Sequence, residues 1–224
     1  MKRLYGIVSA DVVDSTSLDR TAILQLRKDI YNSFFYDLAE KYPSFWGRVV
    51  RGDTIECCFS QAQFSFRATL LAKCWMKNWA EVNGGSSNMR RFGLRCSIGI
   101  GTMRIVDKEE DLLDGDAIYI AGRNLDYISG KDIPVAFGMN SSYTDVEALI
   151  ANNLLLVDAL FYELTSRQSE VLYFKLMGYP EMEIARMLGI SQTAVNLRAR
   201  NAGWRQIKDT LKVLENINYG EYVD

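Results

Sequence analysis

Histidine is absent from the 224 residues of this chain, so its chemistry falls to carboxylates, lysines and arginines. That removes Ser-His-Asp and Cys-His nucleophiles and imidazole metal ligands. Two aspartates stand out. Asp11 closes an apolar stretch over residues 4–10, and Asp53 follows Gly52 in Arg51-Gly52-Asp53-Thr54, between two strand-like segments. Were those segments neighbours in a sheet, the two carboxylates would converge on a divalent cation, Mg2+ or Mn2+. Such ions are held by two carboxylates plus substrate phosphates. The Val12 carbonyl and the amides of Asp14, Ser15, Thr16 and Ser17 would lie near a phosphate chain, with Gly52 beside them.

A second group of residues sits near the C-terminus. Gln192, Thr193, Asn196 and Arg200 share one side of a predicted helix whose other side carries Val195, Ala199 and Ala202. These are the residue types that read base edges in the major groove of DNA. Arg198 and Arg205 add charge. Between Arg186 and Lys212 the cations are Arg186, Arg198, Arg200, Arg205, Lys208 and Lys212, against Asp209 alone. That local excess suits phosphate contacts although the whole chain has a formal charge of −2.

Periodicity supplies the elements that must position these groups. Residues 4–10 read as a buried strand and 14–17 as a polar turn. Ile23, Leu24, Leu26, Ile30, Phe34 and Leu38 predict a helix over 20–42, stopped by Pro43. Strands over 46–50 and 55–59 form a hairpin, followed by a helix over 61–82 and a loop over 83–87. A strand over 91–102, an acidic loop over 107–116, a helix over 117–129 and an edge strand over 133–137 come next. The order β-α-β-β-α-β-α-β predicts an α+β, ferredoxin-like fold, its helices covering one face of a largely antiparallel sheet. Phe34, Phe35, Tyr36, Trp75 and Trp79 are expected in the core or at a dimer surface. A helix over 144–162 leads to the C-terminal unit.

In that unit Thr165 caps a helix carrying Val171, Leu172 and Leu176, and Gly178-Tyr179-Pro180 breaks it. A short helix over 183–188 follows, then the tight turn Gly189-Ile190-Ser191. The expected division is 1–140, a connecting helix over 141–163, and a small all-α domain over 164–224.

Leu164-Thr165-x-Arg167-Gln168-x-Glu170-Val171-Leu172 and Glu183-Ile184-Ala185-x-x-Leu188-Gly189-Ile190-Ser191-x-x-x-Val195 resemble sigma-70 region 4 and LuxR-type helix-turn-helix domains. The resemblance implies that the helix after Ser191 recognises DNA. Over roughly residues 1–140, Ala10-Asp11-Val12-Val13-Asp14-Ser15-Thr16, Gly52-Asp53 and Gly115-Asp116-Ala117-Ile118-Tyr119-Ile120-Ala121-Gly122-Arg123 resemble the class III adenylate/guanylate cyclase domain. By that resemblance Asp11 and Asp53 carry the metals, and Arg123 neutralises phosphate charge in the transition state.

The departures are specific. Tyr119 replaces the ribose-orienting asparagine, and Asp14 replaces a glycine near the phosphates. The base-reading lysine and aspartate fall near Gly47 and Leu112, with Arg48, Asp111 and Asp114 close by only in a shifted register. The fused pair of domains resembles the SatD-like bacterial proteins. The implied function is a DNA-binding transcriptional regulator whose eroded cyclase-like domain senses a nucleotide or mediates dimerisation. The alternative is an active metal-dependent nucleotidyl cyclase with an accessory helix-turn-helix. A homodimer is expected, because a lone helix-turn-helix grips DNA weakly and cyclase sites form between two chains.

Composition excludes other classes. No apolar run reaches the ~18–20 residues that span a bilayer, and no signal-peptide pattern opens the chain, so a cytoplasmic, membrane-free location is expected. Cys57, Cys58, Cys74 and Cys96 lack CxxC spacing and are expected as buried thiols, with Cys57 and Cys58 on opposite faces of a strand.

Overall fold

The computed structural model describes residues 3–50, 52–131 and 133–224. Met1 and Lys2, which open the chain, and Arg51 of the expected hairpin turn lie outside the described residues. Five strands form one sheet in the order β2-β3-β1-β4-β7. They are β1 (Tyr5–Val12), β2 (Trp46–Val50), β3 (Thr54–Phe59), β4 (Leu94–Gly101) and β7 (Val135–Met139). All neighbours are antiparallel except β4 and β7, and β7 takes the edge. The central strand β1 has apolar residues on both faces because both are covered. Val8, Ala10 and Val12 join the main core beneath α3 (Phe64–Val82), and Ile7 joins a smaller cluster beneath α5 (Asp116–Ile128).

That arrangement corrects the expectation of helices on one face only. The residues of α5 allow the second layer: Ala117 and Ala121 lie against Gly99, where an added Cβ would come within 2.2 Å of the Ala117 carbonyl oxygen. Small residues on both sides let helix and sheet backbones approach closely. The same two faces separate Cys57, in the main core, from Cys58, in the smaller cluster. All four cysteines are buried and free.

Other expectations change in detail. The helix predicted over 20–42 is α1 (Arg20–Asp29), a π-helical segment (Ile30–Phe35) and α2 (Tyr36–Lys41). The wider turn brings both Phe34 and Phe35 inside, while Tyr36 is 58% exposed and belongs to no core. Residues 87–92, read as loop end and strand start, form α4 (Ser87–Phe92). Ser86 caps it, and Gly93 closes it at φ +65°. The acidic stretch is not a plain loop. It forms a hairpin of β5 (Met103–Asp107) and β6 (Leu112–Gly115), whose mixed apolar and acidic residues gave no clean alternation.

From α6 (Thr144–Tyr162) the chain enters α7 (Ser166–Met177), α8 (Glu181–Leu188), α9 (Gln192–Asn201) and α10 (Trp204–Asn216). Thr165 and Gln168 form a reciprocal capping box at α7. Val171, Ile184, Val195 and Ala199 make a small cluster between α7, α8 and α9. Leu172, Leu176, Ile207, Leu211 and Leu214 join the main core of the sheet. Polar contacts tie the same seam: Arg67 grips Glu215 through two bonds of 2.7 Å, and the Tyr173 hydroxyl donates to Asp37 at 2.5 Å. Among the described residues no helix is long and apolar enough to cross a membrane.

Candidate functional site

Asp11 and Asp53 do come together. Asp11 is register-paired with Thr54 on β3 and with Arg95 on β4, so near the end of β1 its side chain shares one face of the sheet with those two. The Thr54 hydroxyl donates to Asp11 Oδ1 at 2.9 Å, and the Ser15 hydroxyl donates to Asp53 Oδ2 at 2.5 Å. Each carboxylate thus has one hydroxyl partner. Burial raises the Asp11 carboxyl above its ordinary value. The Thr54 hydrogen bond opposes that shift, the Asp53 charge reinforces it, and Arg95 opposes it more weakly.

The turn after β1 uses the Ser17 amide, one of those expected near a phosphate chain, for its own closure. Asp14 sits at φ +58°, ψ +33°, and Ser15–Ser17 form a single 3-10 turn behind it. Aspartate is among the few residues other than glycine that tolerate that left-handed backbone. The Ser17 and Leu18 amides close the turn on the carbonyls of Asp14 and Ser15. Gly52, at φ +90° with open space around it, makes the hairpin turn that carries Asp53.

Arg95 is the residue that sequence reading missed. Its Nε is buried without a hydrogen-bond partner, and it lines a cavity of about 150 Å3 together with Val13, Leu94 and Lys131. The guanidinium stands opposite Asp11 on the neighbouring strand and interacts with its carboxylate, while the residues lining the cavity include neither Asp11 nor Asp53. Its signal in the sequence was one charged residue inside an otherwise small and apolar strand, with no hint of the pairing to Asp11.

The side chains near the positions expected to read a base are paired with other groups. Arg48 is held by Glu56 at 2.7 Å and by the Asp111 carbonyl, with Asp111 Oδ1 3.6 Å away. Gly47 faces the aromatic core, where an added Cβ would meet Phe35 and Phe45 within 2.8 Å. Tyr119 donates to Asp114, which also binds Arg104 at 2.6 Å, and these contacts hold the Asp114 carboxyl below its usual range. Leu112 is exposed in the hairpin. Arg123 is exposed on α5, whereas the α5 charge that reaches Asp11 is that of Asp126.

In the C-terminal unit, Gly189 takes φ +62° with nothing close to it, and the Ser191 hydroxyl caps α9 by accepting from the Ala194 amide at 3.1 Å. Val195 and Ala199 are buried. Gln192, Thr193, Asn196, Arg200 and Arg205 are exposed, and Arg198 is half-buried. Arg205 has only a 3.9 Å approach to Asp209. One acidic side chain lies near: Glu181 is held below its ordinary value first by Lys175, at 2.9 Å, and by Asn196 and Gln192.

No family model matches the chain, and no curated protein matches it. Among solved structures, a bacterial light-regulated adenylyl cyclase is similar over 60% of this chain and 75% of that one, at 16% identity and a TM-score of 0.41.

Proposed function

We propose that the chain is a DNA-binding regulator. Its α8–α9 pair acts as a helix-turn-helix, and its sheet domain, of class III cyclase type, receives a nucleotide through a divalent cation. The observation that carries this reading is α9. One side is buried on the small helical cluster, and the other presents Gln192, Thr193 and Arg200 to solvent behind a capped, tightly turned N-terminus. That is the shape of an element that enters the major groove.

The Asp11–Asp53 pair fits Mg2+ or Mn2+. Two carboxylates, each bound by one hydroxyl, would leave most positions on the ion to water and phosphate. When bound, the cation neutralises carboxylate and phosphate charge together. Ser15 and Thr54 orient the carboxylates, and Arg95 takes an anionic oxygen on the far side. Arg48, Asp111, Asp114 and Tyr119 are already paired, which supports recognition of the phosphates over the base.

The test is a mobility-shift assay with mixed genomic duplex fragments at low salt, with Arg200→Ala alongside. A retarded complex weakened in the variant supports the reading, and no retardation of any fragment sinks it. A second reading, a working nucleotidyl cyclase, is favoured by the intact aspartate pair. It requires a cyclic product from an NTP with Mn2+ that disappears in Asp53→Ala.

A further inference from the structure

The outward face of α6 is unusual for a surface helix. From residue 148 to 162 its sole charged side chain is Asp158, which is buried and paired with Lys73 at 2.6 Å. Leu149 and Leu156 point outward, 63% and 71% exposed. With Asn152 and Asn153 they occupy i, i+3, i+4 and i+7, a single stripe along one side of the helix. Beside it runs a groove of about 490 Å3 between α6 and α10, lined by Leu149, Asn153, Val213 and Ile217 among others. Val213 is itself 64% exposed.

We infer that this stripe and groove dock a second copy of the chain, α6 packing antiparallel on α6 about a two-fold axis between Asn152 and Asn153. The pattern reads the same from both ends: leucine, two asparagines, leucine. Reversal therefore lays Leu156 of each copy beside Leu149 of the other, which is the self-complementarity an isologous interface demands. At the axis Asn153 Nδ2 already donates to the Leu149 carbonyl of its own helix at 2.8 Å, which leaves its Oδ1 to accept from Asn152 of the other copy and fix the register. No like charges oppose on the stripe, and antiparallel helix dipoles are mutually favourable. On the rim, α10 carries Asp209 and Lys212 one turn apart, opposite charges that a two-fold can pair crosswise. This interface lies away from the Asp11–Asp53 face and does not depend on the DNA-binding reading.

The test uses the full chain. Because all four native cysteines are buried, a new surface thiol reports alone. Under mild oxidation Asn152→Cys or Asn153→Cys should give a disulfide-linked dimer, while Gln25→Cys, exposed on α1, should not. In sedimentation, Leu156→Glu should weaken self-association about tenfold or more, with an unchanged circular dichroism spectrum. A wild-type chain that stays monomeric at about 100 µM, well above a micromolar dissociation constant, overturns the inference. So does a dimer that neither cysteine cross-links and Leu156→Glu leaves intact, since its interface must lie elsewhere.

Discussion

At the scale of single residues, the sheet site is defined by unbalanced charge. Asp11 is half-buried beside Asp53 and keeps its proton to higher pH in the folded state than in the unfolded chain. The folded state therefore loses stability as pH rises from the ordinary aspartate value, 3.8, through the raised one, and is flat above it. Asp11→Asn, which can still accept from Thr54, should melt higher than wild type at neutral pH, with the difference closing in acid. Mg2+ or Mn2+ should raise the melting temperature of wild type and leave Asp11→Asn unmoved. A scanning-fluorimetry series over pH and metal reads both outcomes, and equal metal shifts in the two proteins would remove Asp11 from the cation site. Arg95→Gln should keep the fold and lose stabilisation by a nucleoside triphosphate with Mg2+.

At the scale of elements, α3 and α6 are bound by a buried pair. Lys73 Nζ meets Asp158 at 2.6 Å and the Leu94 carbonyl at 2.8 Å, and Lys77 reaches the Phe161 carbonyl. Removing one charge strands the other, so Asp158→Ala should cost about 3–5 kcal/mol in urea unfolding. The double change Lys73→Met with Asp158→Leu should cost far less, because no unpaired charge remains. Equal losses in both proteins would show that packing, and not the stranded charge, sets the cost. On α9 the cap is the exposed weak point: Ser191→Ala leaves the Ala194 amide without its acceptor and should cost about 1 kcal/mol.

Across the whole molecule, the C-terminal helices are not an appendage. Leu172, Leu176, Ile207, Leu211 and Leu214 share one core with the sheet and α3, and Arg67–Glu215 and Tyr173–Asp37 seal the seam. Calorimetry should therefore show one cooperative transition, its calorimetric and van't Hoff enthalpies equal. Two resolved transitions would mean that the shared core is not energetically shared. The charge distribution has its own consequence. The net charge of −2 provides no global attraction to DNA, so in the proposed DNA-binding role any affinity would rest on the arginines and lysines after Arg186. It should fall steeply with salt, and Arg205→Ala should reduce the slope of log K against log salt by about one without changing sequence preference.

What the sequence determined by itself was local. The order of the five sheet strands and the long helices was legible in period-2 and period-3.6 patterns, as was the C-terminal helix series in Thr165, Gly178, Gly189 and Ser191, because caps and turns act within a few residues. Asp11 and Asp53 were legible as carboxylates beside turns. The two-layered cover of the sheet was not, since it depends on Gly99 meeting Ala117 and Ala121 across 18 and 22 positions of chain. Nor was Arg95, whose meaning comes from standing opposite Asp11 on the neighbouring strand. The pairings that occupy Arg48, Asp111, Asp114 and Tyr119 arise from a hairpin that the acidic stretch concealed. Only tertiary structure decides such matters, because strand register and helix docking join residues whose separation in sequence carries no periodic trace.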